Sequence, residues 1–460
     1  MPYVEARGGS IRVKWWGGKY KVGEDGKLTK VKIYESASGP EPGTKFQDED
    51  EAYTYGLDRE YEVRHGTHIP RASAATLMEE YCWKWFEAAS LRPNSMGTYR
   101  VMLRAVIVPY WGHRPVGEIS ALEYDVWKAT IEAKYSDNYV GQLRGLFRML
   151  MQDAIFKYRL RTDSPIIDAQ RRGKYRKKTT RREKGEVSIQ SVHQLAQNAF
   201  HVWGYTGWAY IWTIAATAMR PPGEMFGLQR GYTSPNWPSA DPVRERRVQS
   251  LKRYGQKDGL RALRVQHQLY KVDGKPTMAG PKYESYRSLV VPPFLHQMHA
   301  ALLASHAEPL VFLSLMGKPL LGAQFERDYW YPIRDGADER ESRPGYERFT
   351  RPKLPAVEEM AGADIYRLRH WHRELLDEPG ADIPRVAKEA RMGHELPGVE
   401  GVYSNVTVGM EERIVEYLQG VWEKHVVSSL WIPPFPKPLP DDQQAGASSQ
   451  FTAYPVRDSR

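Results

Sequence analysis

The sequence contains a single cysteine, Cys82, among its 460 residues. One cysteine cannot form an internal disulfide, and it excludes a zinc site built from several cysteine ligands. There is also no apolar run of about 18 residues, the length that a membrane-spanning helix needs. The opening residues, MPYVEAR, lack the apolar core of a signal peptide. These absences predict a cytosolic protein without disulfides or membrane spans.

Positive charge is in excess, with a formal net charge of +10, and it concentrates in residues 171–184, RRGKYRKKTTRREK. This basic segment could be a solvated linker. Its place between two helical, apolar-rich regions instead favours an interdomain linker that lies along a polyanion. If it met eight phosphates, the log–log slope of affinity on salt would be roughly −7. The expected DNA-binding residues of this segment are Arg171, Arg172, Lys174, Arg176, Lys177, Lys178, Arg181 and Arg182.

The N-terminal region alternates polar and apolar residues over 11–16, 19–22 and 27–34, separated by glycine-rich turn signals. This pattern predicts a three-stranded sheet, and the acidic stretch 47–62 is typical of a helix that covers it. Such a sheet can lay a basic face into a DNA major groove, with Lys14 and Lys19 as candidate contacts. A protein-binding or purely structural sheet is equally supported by these residues.

The rest of the chain is predicted to be mainly helical. Apolar stripes over 73–158 indicate a domain of four or five helices. After the basic segment, Ser188 is a plausible N-cap for a helix through Phe200, and 208–219 is an apolar helix. The region 244–293 is strand-like. Further helices are expected over 294–305, 364–378, 384–392 and 410–425, before a proline-rich tail. The predicted fold class is therefore multidomain α+β, with a small N-terminal sheet plus helix, a helical domain, and a mainly α domain that carries a β-hairpin sheet.

Five residues in the larger C-terminal region form an ordered set with a shared chemistry: Arg220, Lys282, Arg369, His394 and Tyr403. A phenol can attack phosphorus, and guanidinium groups grip phosphate oxygens with two parallel donors. An imidazole or an amine can move protons. A tyrosine nucleophile conserves the bond energy as a phosphotyrosine, so strand rejoining needs no ATP. Each residue alone is more often structural, but their order predicts phosphodiester cleavage without a metal.

The segments around these residues resemble the conserved boxes of the tyrosine recombinases, the phage integrase family. Residues 216–228, ATAMRPPGEMFGL, resemble the family's first arginine box, and residues 366–370, YRLRH, resemble the second. MGH at 392–394 together with VYSNV at 402–406 resembles the end of the family's catalytic domain. Residues 281–292, PKYESYRSLVVP, resemble the family's lysine-bearing β-hairpin. The resemblance covers roughly residues 187–425.

The resemblance implies a role for each member of the set. Arg220 and Arg369 are expected to clamp the scissile phosphate, and Lys282 to protonate the leaving oxygen. His394 is expected to contact the phosphate or to assist proton transfer. Tyr403 is the expected nucleophile, forming a 3′-phosphotyrosine.

Three further residues are expected to support the site, and two of them depart from the family pattern. Glu224 would orient an arginine, although it follows Arg220 by four residues where three is usual, so that Pro221-Pro222 could hold a bulge. Tyr366 stands where the family has a histidine. Lys282 and His394 are therefore expected to carry more of the proton transfer. His370 is expected to support the site without reacting.

The resemblance also implies a domain organisation. It comprises an arm-type DNA-binding domain (1–66), a helical core-binding domain (72–165), a basic linker (166–186), the catalytic domain (187–425) and a partly disordered tail (426–460). The tail could dock on a neighbouring subunit or stay exposed. The implied partner is double-stranded DNA with core and arm attachment sites, bound by a homotetramer with a possible directionality factor and DNA-bending host protein. No cofactor is implied. The Trp- and Arg-rich composition is typical of an actinobacterial phage or mobile element.

Two alternatives remain open at this stage. The first is a DNA-binding protein that kept this fold but lost its chemistry, which Tyr366 favours and the other intact residues oppose. The second is a metal-dependent nuclease. Such an enzyme needs clustered Asp and Glu with His, and the sequence of the catalytic region contains no such cluster.

Overall fold

The computed structural model describes residues 1–22, 27–41, 43–91, 93–167, 185–236, 260–272, 274–394, 406–428, 430–440 and 456–457. The chain divides into two compact units, Met1–Lys178 and Thr179–Arg460. Their boundary falls in the basic segment, all of which lies outside the described residues, as does Tyr403. The five-part domain organisation stays a prediction.

The first unit begins with an antiparallel sheet of order β1-β2-β3. Its strands are β1 (Tyr3–Arg7), β2 (Ser10–Val22) and β3 (Leu28–Ala37). The expected turn at Gly17-Gly18 is wrong, because both glycines lie inside β2. Trp16 pairs with Tyr34 and Lys19 pairs with Ile33, so the two glycines are accommodated as an irregularity within one long strand.

Helix α1 (Glu49–Arg64) covers one face of this sheet, as the acidic pattern predicted. Asp48 caps it by accepting a hydrogen bond from the Glu51 backbone. A small buried core joins Val13 and Trp15 of β2 with Ala52 of the helix. The prediction of a helix-covered sheet is confirmed.

Over the described residues, the helical part of the first unit contains six α-helices, where the sequence predicted four or five: α2 (Arg71–Ala74), α3 (Met78–Ala88), α4 (Pro93–Met102), α5 (Val108–Trp111), α6 (Ala121–Lys134) and α7 (Asp137–Phe156). A π-helical stretch, Leu103–Ile107, joins α4 to α5, and a 3-10 turn, Val116–Glu118, precedes α6. Trp111, Trp127 and Phe147 form the centre of their core. Cys82 is fully buried there, and burial raises the pKa of its thiol to about 12. It is a core residue of this helical part.

The second unit is built around two adjacent helices, α8 (Ile189–Trp203) and α9 (Tyr205–Thr217). Ser188 caps α8 as predicted, accepting a hydrogen bond from the Ser191 backbone. Helix α9 is buried on all sides, which explains its uniformly apolar sequence. The other α-helices in the described part of this unit are α10 (Gly223–Phe226), α11 (Pro293–Ala304), α12 (Gly322–Phe325), α13 (Tyr331–Asp335), α14 (Arg367–Asp377), α15 (Arg385–Met392) and α16 (Val408–Trp422).

Short 3-10 and π-helical segments complete the second unit: Arg230–Tyr232, Lys282–Glu284, Glu326–Trp330, Glu347–Phe349, Glu358–Met360 and Glu423–Val427. The described helices of the whole chain include none with the length and apolarity to cross a membrane. The fold is mixed α+β, so the predicted fold class is confirmed.

Two three-stranded sheets accompany these helices, with orders β4-β5-β8 and β6-β7-β9. Their strands are β4 (Thr233–Asn236), β5 (Arg261–Val265), β6 (Gln268–Val272), β7 (Lys275–Ala279), β8 (Arg287–Val291) and β9 (Val456–Arg457). The expected hairpin over 281–292 is wrong, because the hairpin is β6–β7. Residues 281–292 contain the Lys282–Glu284 turn and then β8, which pairs with β5.

The tail packs on its own unit over residues 430–440, which neither sequence alternative anticipated. The Trp431 carbonyl lies 2.7 Å from Nε2 of His193 on α8, and the Trp431 ring stacks on His201. Further along, the Leu439 backbone donates to the carbonyl of Ala304 at 2.7 Å.

Candidate functional site

Arg220 lies just after α9, which ends at Ala218 in a left-handed conformation. Its Nη1 donates to Oε1 of Glu224 at 2.9 Å and to the Ser285 hydroxyl at 2.5 Å. Its Nη2 donates to the carbonyls of Met392 at 3.4 Å and Gly393 at 3.1 Å. The guanidinium is therefore held by three separate parts of the chain.

Glu224 holds a second arginine as well as Arg220. Arg287, the first residue of β8, donates from Nη2 to Oε2 of Glu224 at 2.7 Å and from Nη1 to Oε1 at 3.1 Å. Burial opposes the charge of Glu224, but Arg287 and Arg220 outweigh it and lower the pKa of the carboxyl to about 2. Glu224 is thus an ionised carboxylate shared by two guanidinium groups, and the four-residue spacing still allows its contact with Arg220.

Arg369 lies in the first turn of α14 and is fully buried. It donates from Nη1 to the Ala218 carbonyl and from Nη2 to the Met392 carbonyl. Its Nε is buried and has no acceptor among the residues that the structure describes. Burial and the neighbouring cation Arg287 lower the pKa of Arg369 to about 10, so it remains a cation at neutral pH.

His394 follows Gly393, which ends α15 in a left-handed conformation (φ 66°). The imidazole Nδ1 lies 2.9 Å from Oε2 of Glu389, and Nε2 lies 3.4 Å from Nη2 of Arg369. The left-handed conformation favours glycine, and a Cβ at position 393 would lie 3.2 Å from side-chain atoms of Arg287 and Ser285, a tight contact. The structure therefore brings together Arg220, Arg369 and His394, three of the predicted site residues.

Lys282 lies on the 3-10 turn before β8, with an exposed side chain whose Nζ sits 4.9 Å from the Tyr283 ring centre. Its carbonyl accepts a hydrogen bond from the Ser285 hydroxyl, which also contacts Arg220. The Lys282 backbone is therefore connected to the arginine site through Ser285, while its amine is free of ion pairs among the described residues.

Tyr366 immediately precedes α14. Its ring lies 5.7 Å from the guanidinium carbon of Arg369 and meets the His370 ring edge-on, with centroids 5.4 Å apart. Tyr366 and His370 therefore form one side of the Arg369 environment, and both are partly exposed.

The predicted nucleophile Tyr403 lies between the described residues His394 and Val406, in a stretch outside the described part of the chain. Of the other predicted contacts, Lys14 and Lys19 belong to the first unit. Lys14 forms an ion pair with Glu5 at 2.8 Å, and Lys19 is exposed. Within the described ranges, no group of three His, Cys, Asp or Glu side chains is placed to hold a metal ion.

Sequence reasoning missed several residues that build the site, including Ser285, Arg287 and Glu389. A further buried pair in the same unit, Arg391 and His372, was also missed. Arg391 Nε lies 3.1 Å from His372 Nε2, and Arg391 Nη2 donates to the Ala216 and Val290 carbonyls. The sequence did contain a signal for two of these arginines. Arg287 and Arg391 are charged residues with apolar neighbours, and each lies in or beside a short motif that contains a predicted site residue.

Comparison of the structure with solved structures finds similar folds among integrases. A Tn1549 transposon integrase fragment in complex with transposon right end DNA has a TM-score of 0.46 and 15% identity, covering 74% of this chain and 98% of that one. A lambda integrase tetramer bound to a Holliday junction has a TM-score of 0.45 and 10% identity, covering 88% and 98%. A lambda integrase (75–356) dimer bound to a COC′ core site has a TM-score of 0.46 and 10% identity, covering 74% and 95%. No protein-family model and no curated protein matches the sequence.

Proposed function

We propose that this protein is a site-specific DNA recombinase, an integrase that cleaves and rejoins DNA strands through a 3′-phosphotyrosine at Tyr403 and so integrates or excises a mobile element. The observation that carries the proposal is the convergence of Arg220 and Arg369 on the Met392 carbonyl, with His394 beside them. These residues are far apart in sequence, and their types are the ones that hold and process a phosphodiester.

The two arginines act as the phosphate clamp in this proposal. Arg369 is buried, and Arg220 has only 13% of its side chain exposed. Their positions are fixed before DNA binds, so little reorganisation is required when charge develops on the pentavalent phosphorus. A preorganised donor of this kind contributes about 3–4 kcal/mol to transition-state stabilisation.

The chemical step transfers the phosphoryl group from the 5′ oxygen to Tyr403. The Tyr403 hydroxyl oxygen attacks phosphorus and gives up its proton to His394 or to solvent, while the bond from phosphorus to the 5′ oxygen breaks and that oxygen takes a proton. We assign the donor of this second proton to the exposed amine of Lys282, and His394 contacts the phosphate or assists proton transfer. Rejoining reverses the same steps with a different 5′ hydroxyl and needs no cofactor.

The partner in this proposal is duplex DNA carrying core and arm attachment sites, bound by a homotetramer. The basic segment is assigned to the DNA backbone and the N-terminal sheet to the arm sites. These assignments rest on the charge pattern and on the resemblance of the motifs. A directionality factor and a DNA-bending host protein belong to the same proposal.

A covalent-trapping experiment tests the function. The protein is incubated with a nicked duplex that carries the attachment core of its own element, so that cleavage releases a short strand and cannot be reversed. We expect an SDS-resistant protein–DNA adduct that Tyr403→Phe abolishes without weakening DNA binding. Tyr417→Phe is the matched control, because Tyr417 lies half-buried in α16, and this variant should form the adduct normally.

Each other outcome of this experiment has a definite meaning. An adduct that persists in Tyr403→Phe would refute the nucleophile assignment. Loss of the adduct on adding EDTA would refute the metal-free mechanism. Tight DNA binding by the unmodified protein without any adduct would support the second candidate, a binding protein that lost its chemistry, which the presence of Tyr366 at the histidine position favours.

A further inference from the structure

We propose that Glu389 is a positioning residue for His394: its carboxylate fixes the Nδ1–H tautomer of the imidazole and directs Nε2 towards the arginine clamp. This inference rests on the proposed function, because it assigns the residue that prepares His394 for its part in strand cleavage. Glu389 belongs to none of the motifs that identified the site.

The end of helix α15 creates the pairing. Gly393 adopts the left-handed conformation there, and the His394 backbone N–H donates to the Glu389 carbonyl at 2.9 Å. This long backward hydrogen bond is the one that closes a helix ended by a left-handed glycine. It returns His394 to the side of Glu389, so that the imidazole and the carboxylate meet at 2.9 Å.

The carboxylate is itself held from the other side. Arg373 of α14 donates from Nη1 to Oε1 of Glu389 at 2.6 Å, which leaves Oε2 for the imidazole. The Glu389 side chain is 12% exposed, whereas the His394 side chain is 46% exposed. The fixed partner is therefore the buried carboxylate, and the imidazole reaches outward from it towards the clamp.

The charges around His394 come from several elements. Glu389 on α15 supplies the negative charge at Nδ1, and Arg369 on α14 supplies a positive charge near Nε2. Arg220 donates to the Gly393 carbonyl, and the Arg287 guanidinium lies close to Gly393. Arg373 donates to Glu389. Burial raises the pKa of Glu389, but hydrogen bonds from His394 and Arg373 outweigh it and hold that pKa below its usual value. Glu389 therefore stays ionised at neutral pH.

An ionised carboxylate at Nδ1 fixes the tautomer of the imidazole. The carboxylate can only accept a hydrogen bond, so the neutral ring must carry its proton on Nδ1, and Nε2 is left with a lone pair. This support matters here because Tyr366, at the position of the expected box histidine, is a phenol and a weak base at neutral pH.

The first test measures the rate of covalent adduct formation at pH 7 with the nicked duplex. Glu389→Gln keeps the shape of the side chain but removes its charge. We expect the rate to fall about 10–100-fold. Glu389→Asp, which keeps the charge, should restore most of the rate.

Asp377→Asn is the matched control. Asp377, like Glu389, forms an ion pair with Arg373, here at 3.3 Å, and its other ion pair is with Lys388 at 2.6 Å. We expect this variant to leave the rate unchanged. A Glu389→Gln rate equal to that of the unmodified protein would overturn the inference, as would an equal loss of rate in Asp377→Asn, which would assign the effect to Arg373.

A second measurement reads the tautomer directly in the unmodified protein. The ¹⁵N chemical shifts of the histidine rings in the full-length protein report the tautomer, and His394→Gln identifies the His394 signals. We expect neutral His394 to be protonated on Nδ1, and protonation on Nε2 would overturn the inference. The two proposals fail separately: no adduct with the unmodified protein refutes the proposed function, whereas a normal adduct with the Nε2–H tautomer refutes only the role of Glu389.

Discussion

Arg220 and Arg369 donate to the same carbonyl, that of Met392, so two guanidinium groups lie side by side in the second unit. Arg287 stands behind them and is paired with Glu224. Within this cluster of three cations, Glu224 is the carboxylate in direct contact with two of them. An arrangement with more cations than carboxylates has a favourable site for an anion, and a phosphodiester supplies one.

The buried guanidinium of Arg369 is expected to be irreplaceable by another cation. Arg369→Lys keeps a positive charge but removes the planar fork that reaches Ala218 and Met392. We expect the rate of adduct formation to fall about 10²–10³-fold, while DNA affinity changes by less than tenfold. Rapid-quench kinetics on the nicked duplex and a filter-binding titration measure the two quantities.

Arg413→Lys is the control for this substitution. Arg413 is 47% exposed and pairs with Asp382 at 3.1 Å on the surface of the same unit. It should leave the rate unchanged. A thermal melt of Arg369→Lys confirms that the variant is folded, and a folded variant with a rate within tenfold of the unmodified protein would contradict the clamp.

Glu224 is expected to contribute to stability as well as to the site. Glu224→Gln leaves Arg287 and Arg220 without their shared charge, and breaking a buried ion pair from one side costs about 3–5 kcal/mol. The pKa of Glu224 is about 2 in the folded protein, below the ordinary value for glutamate. Its contribution is therefore complete above the ordinary value and is lost as pH falls towards 2.

Urea unfolding at several pH values tests this expectation. The stability difference between Glu224→Gln and the unmodified protein should be large at pH 7 and should shrink as pH falls below about 4. Asp382→Asn, which removes the exposed carboxylate partner of Arg413, should cost at most about 1 kcal/mol at pH 7. A Glu224→Gln difference that is small or independent of pH would show that the carboxylate is not ionised in the folded state.

Lys282 is expected to be needed only when the leaving group requires a proton. In a substrate with sulfur in place of the bridging 5′ oxygen, the leaving group departs as a thiolate, since a thiol is far more acidic than an alcohol. We expect Lys282→Ala to slow cleavage of ordinary DNA by about 10²–10⁴-fold and to cleave the sulfur substrate nearly as fast as the unmodified protein.

The hairpin lysines are the controls. Lys271 and Lys275 are exposed on β6 and β7, and their alanine variants should cleave both substrates normally. If sulfur instead rescued one of these variants, the proton donor would belong to the hairpin and the assignment of Lys282 would be wrong.

The sequence motifs predicted which residues would meet, but not the groups that hold them. Arg220, Arg369 and His394 were identifiable because each lies in a short motif with a characteristic neighbour. Glu224 was found for the same reason. Arg287, Ser285 and Glu389 were not, because their roles depend on contacts between β8, α10, α14 and α15, and a local pattern does not specify which elements pack together.

The N-terminal sheet shows a different limit of sequence reasoning. Alternation predicted a three-stranded sheet and a covering helix, and both are present. The strands expected at 11–16 and 19–22 are however one strand, β2, and β1 was not predicted. The positions of Gly17 and Gly18 were misassigned because a glycine pair is compatible with either a tight turn or a strand irregularity. Only pairing with β3, which continues past both glycines, decides between the two.

The two lysines of this sheet are expected to differ in their contribution to arm-site binding. Lys19 is exposed, whereas Lys14 is already paired with Glu5 at 2.8 Å and must leave that partner to reach a phosphate. We therefore expect Lys19→Ala to weaken binding to an arm-site duplex more than Lys14→Ala does. If Lys19 contacts a phosphate, its loss should reduce the magnitude of the salt slope by about 0.9. Both variants should cleave a core-site duplex normally, because the clamp lies in the other unit. Equal losses at arm and core sites would contradict a separate arm-binding role for the sheet.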